Sequence, residues 1–420
     1  MNTPPALARR LGTLDASLIG LGSMIGAGVF AAFTPAAAAA GSGLLVGLVV
    51  AAFVAFCNAT SSAQLAAAYP TSGGTYVYGR ERLGPWPGFL AGWGFVIGKT
   101  ASAAAMAMTF AAYAAPPGWE RPVAIAAVVL LTAVNYHGVT RTAGLTRVLV
   151  IAVLFALGIA VAACWGGSPD LGNVVGKGLF SHGWYGILQS AGLLFFAFAG
   201  YARIATMGEE VMKPRRTIPR AITIALGITI LVYAVITVTL LASLGPDGVA
   251  GNPTPLAAAV GGGWVSVVVR VGAAVASLGA LLALVAGLGR TSLAMAREHD
   301  LPHALAAVHP RYKVPNRAEV TIAVVICVVI AVADLRGAIG FSSFGVLLYY
   351  LVANVAAFTQ PAEDRRYPKV LQVLGAVACV ALVATLPPLS IGLGVLMLAV
   401  GIVYRVVRLR VRGGHGSALG

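Results

Sequence analysis

The residues whose types and spacing could do chemistry in this chain are mostly glycines. Residues 20–41 read G-L-G-S-M-I-G-A-G-V-F-A-A-F-T-P-A-A-A-A-A-G, with Gly20, Gly22, Gly26 and Gly28 close together. Each glycine inside a helix costs about 1 kcal/mol relative to alanine. The stretch is also apolar enough to lie in a bilayer. There, N–H and C=O groups released from a helical ladder must be buried in protein or turned toward a ligand. A discontinuous helix is expected here. A second stretch, 193–211, places Gly200 in the middle of another apolar run. At such interruptions free N–H groups suit a carboxylate and free carbonyls suit an ammonium. An α-amino acid presents both groups.

Charges at membrane depth come next, because each costs about 2.5–3.5 kcal/mol on insertion scales. Lys99 lies 13 residues past Trp86, roughly 20 Å along a helix rising 1.5 Å per residue. No Asp or Glu is expected deep in any apolar run, so Lys99 has no carboxylate partner in the sequence. Either it is an internal cation bonded to backbone carbonyls at a break, standing in for a coupling ion or exchanging a proton, or it reaches into an aqueous vestibule. Arg203 either faces the ligand or points to an inner vestibule toward Glu209 and Glu210. Those two glutamates brace an inner gate through the basic loop 213–220, or form a solvated cluster. His299, His303 and His309 are spaced too irregularly for a metal site. The four cysteines all fall in apolar runs and fit neither a metal site nor a disulfide framework. No metal or cofactor is expected.

The elements that must position these residues follow from composition. The chain has 420 residues, 59% hydrophobic and 10% charged, against about 25% charged in a soluble protein. Twelve apolar stretches are expected to cross a membrane, at about 14–36, 42–68, 87–115, 121–138, 144–165, 184–210, 218–243, 264–294, 318–334, 338–359, 369–387 and 389–406. The net charge of +15 could suggest nucleic acid, but its distribution argues otherwise. Counted from an inner N-terminus, 22 of the 28 lysines and arginines fall on the inner side, 3 fall outside, and Lys99, Arg203 and Arg270 lie within spans. This is the positive-inside pattern, with both termini cytoplasmic in the inner membrane. The short basic segment before the first span carries no processing site.

With these residues in hand the chain resembles a known family. G-S-M-I-G-A-G-V-F, A-Y-P-T-S-G-G-T-Y-V-Y, F-F-A-F-A-G-Y-A-R-I-A-T-M-G-E-E-V-M-K-P-R-R-T-I-P-R and R-T-S-L-A-M-A-R-E-H-D-L-P are similar, in order and spacing, to the amino acid–polyamine–organocation superfamily of permeases. The resemblance implies an all-α fold of twelve spans, with broken helices 1 and 6 and a 5+5 inverted repeat. The chain then divides into 1–13 (cytoplasmic), 14–165 (spans 1–5), 166–360 (spans 6–10), 361–408 (spans 11–12) and 409–420 (tail). By the same resemblance, amides around Gly26, Ala27 and Gly28 hold a substrate carboxylate. The carbonyls of Ser23, Met24, Phe196 and Ala199 hold its amine beside Gly200, and Phe196 gates the site. Without the family, Gly22-x-x-x-Gly26 also reads as a helix-packing pair. The chain departs from the family pattern in three places: Gln64 stands where a glutamate is frequent, Ala202, followed by Arg203, stands where an acid is frequent, and no span-5 lysine appears near Val153.

The resulting expectation is secondary active amino acid transport by alternating access, proton-coupled, with neutral or small amino acids favoured. An exchanger, a cationic amino acid permease and a transporter-like sensor remain as alternatives. An intramembrane enzyme would need carboxylate pairs, a metal set or a Ser/His constellation at membrane depth, and the sequence offers none. The lipid bilayer is the other partner, and nucleic acid is not one.

Overall fold

The structure, a computed structural model, describes residues 10–71, 73–138, 143–175 and 178–416, without the side chains of Ala27 and of 411–416. Arg9, Arg141, Lys177 and the Arg412 side chain, all part of the charge pattern, lie outside the described residues.

Alanine-, leucine- and valine-rich runs leave the backbone only its own ladder for hydrogen bonds in hydrocarbon, so they form helices. In chain order these are α1 (Thr13–Ala31), α2 (Phe33–Ala40), α3 (Leu44–Ala68), α4 (Thr75–Leu83), α5 (Pro85–Ala114), α6 (Glu120–Tyr136), α7 (Ala143–Gly166) and the short α8 (Gly172–Val175). The second half runs α9 (Gly183–Phe198), α10 (Ala202–Ala205), α11 (Pro214–Ala250), α12 (Pro255–Ala259), α13 (Trp264–Arg297), α14 (Asn316–Val332), α15 (Leu335–Phe358), α16 (Lys369–Thr385) and α17 (Pro388–Gly416). Among the described residues, nine helical stretches are long and apolar enough to cross a membrane. The three other expected spans coincide with α6, α14 and α16, each of 17 residues. Exposed apolar side chains such as Leu130, Phe155 and Val328 cover the outside of the bundle, as a lipid-facing surface requires.

The two expected interruptions have different outcomes. In the second, α9 ends at Phe198, a 3-10 turn spans Ala199–Tyr201, and α10 follows. The break falls on Gly200, as expected. In the first, α1 continues through Gly26, Ala27 and Gly28, and the helix bends only at Ala32. The glycine cluster therefore does not break the helix here. Pro35 does, because it offers no N–H to the carbonyl of Ala31. The ladder resumes with Ala36 N–H bonded to the Ala32 carbonyl at 3.2 Å.

Close packing explains the glycines of α1. A methyl group added at Gly22 would stand 2.8 Å from Val150 of α7, and one at Gly26 would stand 2.8 Å from Ala280 of α13. One at Gly28 would meet Ala197 of α9 at 2.7 Å. The packing role that small residues play in membrane helices applies to all three. Reciprocally, a methyl on Gly200 would stand 2.4 Å from the Ser23 carbonyl carbon and oxygen. α1 and the 3-10 turn thus cross backbone to backbone.

One end of the bundle is basic and is tied by a buried network. Asp300, 6% exposed, accepts from Tyr76 Oη at 2.8 Å and Arg80 Nη1 at 3.0 Å and pairs with Arg405 of α17. Arg405 lies 4.6 Å from the Phe89 ring centroid and 4.9 Å from that of Trp86. Burial, together with the Asp300 carboxylate, pushes the Tyr76 hydroxyl above its ordinary pKa, so it stays a donor. At the same end the chain before α1 pairs with the segment after α10. Leu11 and Val211 form a parallel bridge, and Glu210 accepts from Arg10 and Leu11 through its backbone carbonyl. The sequence places every acid at a span end or loop, which holds, but Asp300 and Glu319 (2% exposed, first turn of α14) are buried there.

Two substitutions test this packing. Asp300→Ala leaves the buried Arg405 unpaired and is expected to cost about 3–5 kcal/mol, read as a lowered thermal unfolding midpoint in detergent. Gly200→Ala pushes a methyl into the Ser23 backbone and is expected to cost about 1–3 kcal/mol in the same measurement.

Candidate substrate site

The site is where the 3-10 turn of 199–201 meets α1. A 3-10 turn shifts the ladder from i−4 to i−3 partners and tightens it. Ala199, 1% exposed, opens this turn, and its carbonyl takes donors from outside the helix. It accepts from Lys99 Nζ of α5 at 3.3 Å and from Tyr350 Oη of α15 at 3.4 Å. Of the two sequence readings of Lys99, a carbonyl at a break or an aqueous vestibule, this contact matches the geometry of the first. It is 8% exposed, and no carboxylate among the described residues pairs with it.

On the other side of the crossing, Tyr233 of α11 reaches both strands of backbone. Its hydroxyl lies 2.6 Å from the Met24 carbonyl and 3.1 Å from that of Ala197. A phenol has one proton to donate, so the two carbonyls share it. Tyr233 is fully buried against Phe198 and Phe33, with ring centroids 5.0 and 5.9 Å away. Tyr350 is held likewise by Tyr201 at 5.1 Å and Phe195 at 5.6 Å. Neither tyrosine was singled out from the sequence. The available signal is a hydroxyl in an otherwise apolar span, which when buried needs a partner.

Of the residues expected to bind substrate, Met24, Phe196 and Ala199 are buried, and Ser23 and Gly200 are partly exposed at the same crossing. Ser23 Oγ donates to its own helix at the Ile19 carbonyl, 2.8 Å away. Gly26 and Gly28 are buried within α1, and the side chain of Ala27 lies outside the description. The charges acting on Arg203 are Arg290 and Glu210. No ion pair joins Arg203 to Glu209 or Glu210 among the described residues. Glu210 contributes its backbone to the closure between the residues before α1 and those after α10. His299 and His303 stack at 5.7 Å, and His309 stacks on Tyr312 at 4.7 Å.

The carbonyls at this crossing can hold ammonium groups, and among the described residues no carboxylate pairs with Lys99 there. The family model for amino acid permeases matches residues 11–407. Uncharacterized transporters of Mycobacterium tuberculosis and Mycobacterium bovis are 56% identical over 431 aligned residues, covering 99% of this chain and 98% of theirs. The branched-chain amino acid permease BcaP of Bacillus subtilis is 27% identical, over 74% of this chain and 72% of its own. Cationic amino acid transporter 7 of Arabidopsis thaliana is also 27% identical, over 84% of this chain and 65% of its own. The family and these relatives are membrane transporters and not enzymes. With helices long enough to cross a bilayer and a family match over nearly its whole length, this chain belongs to the amino acid permease family.

Proposed function

We propose that this permease is a proton-coupled secondary active transporter of neutral or small amino acids. It would work by alternating access in the inner membrane, with both termini cytoplasmic. Twelve spans would form the 5+5 inverted repeat, spans 1–5 within 14–165 and spans 6–10 within 166–360. The helices holding Ser23 and Gly200 would rock against those holding Lys99 and Gly26's neighbour Ala280. The observation that carries this reading is the Ala199 carbonyl, which opens the 3-10 turn and is bonded to an ammonium group, that of Lys99. A carbonyl that holds one ammonium is suited to hold a substrate amine.

In this reading the carbonyls of Ser23, Met24, Phe196 and Ala199 hold the amine, and Phe196 covers it. The carboxylate sits at Gly26, Ala27 and Gly28 when α1 opens there. Four glycines make α1 weaker than an alanine helix by about 4 kcal/mol, so local opening needs little further energy. Lys99 is the coupling group, Arg203 lies on the substrate's exit side, and Glu209 and Glu210 belong to the inner gate. The relatives include transporters named for branched-chain and for cationic amino acids. The cation Lys99, with no carboxylate paired to it among the described residues, favours a substrate side chain without positive charge.

The test is uptake of radiolabelled alanine, leucine, arginine and glutamate into proteoliposomes under an inward proton gradient, an inward sodium gradient, or neither. Accumulation of alanine or leucine driven by protons alone is expected. Flux that needs only a counter-substrate inside would make the protein an exchanger instead. Lys99→Met is expected to abolish the pH dependence, and normal proton-driven uptake in that variant would refute its role. Tyr233→Phe removes the shared hydrogen bond and is expected to lower uptake about fivefold, since such a bond contributes about 1 kcal/mol.

A further inference from the structure

A line of buried polar side chains runs from the Ala199 carbonyl to the basic end of the bundle. Tyr350 touches that carbonyl with its hydroxyl, and its own carbonyl accepts from Asn354 Nδ2 at 2.9 Å. Asn354 also donates to Asn58 Oδ1 of α3 at 2.6 Å and accepts from Ser61 Oγ at 2.7 Å. One turn further on, Gln64 Nε2 donates to the Ala357 carbonyl at 3.2 Å, and the Gln360 N–H donates to the same carbonyl at 3.2 Å. Arg365 closes the line by donating to the Gln360 carbonyl at 3.1 Å. From Tyr350 to the end of α15 is eight residues, about 12 Å.

The line is more polar than its hydrogen bonds account for. Asn58 and Gln64 are 0% exposed and Gln360 is 2% exposed. Among the described residues Asn58 Nδ2, Gln64 Oε1 and both amide atoms of Gln360 have no partner. Gln372 of α16, 1% exposed and three residues before the Gly375 that packs on Asn354, leaves both its amide atoms unpartnered as well. An unpartnered buried amide costs about 1–3 kcal/mol. Four such residues along one interface are the composition of a site that binds water, since a buried water makes about three hydrogen bonds to groups of this kind.

We propose that this seam between α3, α15 and α16 is a hydrated path through which Lys99 exchanges its proton with the basic-end surface. The proposal rests on the reading of Lys99 as the coupling group. The proton leaves the ammonium of Lys99 for a neighbouring water and moves from water to water. The amides of Asn58, Gln64 and Gln360 orient those waters and are not themselves protonated. The titratable groups facing the route are the hydroxyls of Tyr350, Tyr201 and Tyr349, whose ring lies 5.2 Å from that of Tyr350, and the thiols of Cys57 and Cys379, the latter 3.5 Å from Asn58 Oδ1. The charged groups Arg82, Arg365 and Lys369 stand at the basic end, where Arg82 bonds the Thr359 carbonyl and Lys369 lies 4.5 Å from the Phe358 ring centroid. Asn58, Gln64 and Gln360 are positioning residues in this scheme, because they touch no substrate.

The test compares two transport modes in proteoliposomes, using radiolabelled alanine and leucine. Net accumulation under an inward proton gradient requires Lys99 to release its proton. Counterflow at equal pH, against unlabelled amino acid inside, does not. In Gln64→Leu and Gln360→Leu, proton-driven accumulation is expected to fall about tenfold while counterflow stays within about twofold of wild type. Unchanged accumulation in both variants would overturn the path. So would parallel loss of both modes in monodisperse protein, which would make the seam a packing element. If the wild type itself shows no proton-driven accumulation, the coupling reading fails and the path fails with it. That outcome is read before any variant is made.

Discussion

A carbonyl released in the middle of a membrane helix cannot stay unpaired, and the arrangement of this permease depends on how that constraint is met at Ala199. The 3-10 turn at 199–201 begins with this carbonyl, and Lys99 and Tyr350 come from two other helices to bond it. Gly200 then lets the turn lie directly on the Ser23 backbone. Tyr233 ties the carbonyls of Met24 and Ala197 together across the crossing. Removing Lys99 or Tyr350 takes one of two donors from the Ala199 carbonyl, and a buried polar group short of partners is costly in hydrocarbon. The crossing therefore behaves as a unit, and residues of α1, α5, α9, α11 and α15 are constrained by a few backbone atoms.

Part of this was legible in the sequence. Gly200 inside an apolar run marked the second interruption, and a lysine with no acid in reach left backbone carbonyls or an aqueous vestibule as its surroundings. Composition and the basic-residue pattern were enough to read a bundle of membrane helices. The first interruption misled because glycine propensity and glycine packing leave the same mark on a sequence. Gly22, Gly26 and Gly28 are where α7, α13 and α9 come close, and tertiary contact outweighs the propensity cost. Pro35 carried the stronger signal, since a missing N–H cannot be compensated by packing.

The polar partners were harder to read. Tyr233 and Tyr350 look like ordinary aromatic residues of apolar spans, and their roles depend on carbonyls far away in sequence. Asn354 and Ser61 meet across 293 positions. Gln64 appeared in the sequence only as a departure from the family pattern, with no partner to give the departure meaning. Glu319 and Asp300 were correctly placed near span ends, but proximity to an end does not fix exposure. Asp300 is covered because α17 returns to it with Arg405, a contact set by the last helix of the chain.

In the proposed reading, the sign of coupling follows from electrostatics at one carbonyl. Lys99 and a substrate amine both seek Ala199, and two unit charges about 4 Å apart repel by roughly 4 kcal/mol at an effective dielectric of 20. Arrival of the amine thus lowers the proton affinity of Lys99 by a margin comparable to the whole cost of burying that charge. If the proton could leave by either face, this antagonism would waste the gradient or make an antiporter. A seam of bound water that opens only at the basic end removes that freedom. While the site is open to the opposite face, Lys99 takes a proton from that side and substrate enters there. Once that side closes, the substrate amine displaces the proton into the seam of α3 and α15, both leave at the basic end, and opposition between two cations produces symport.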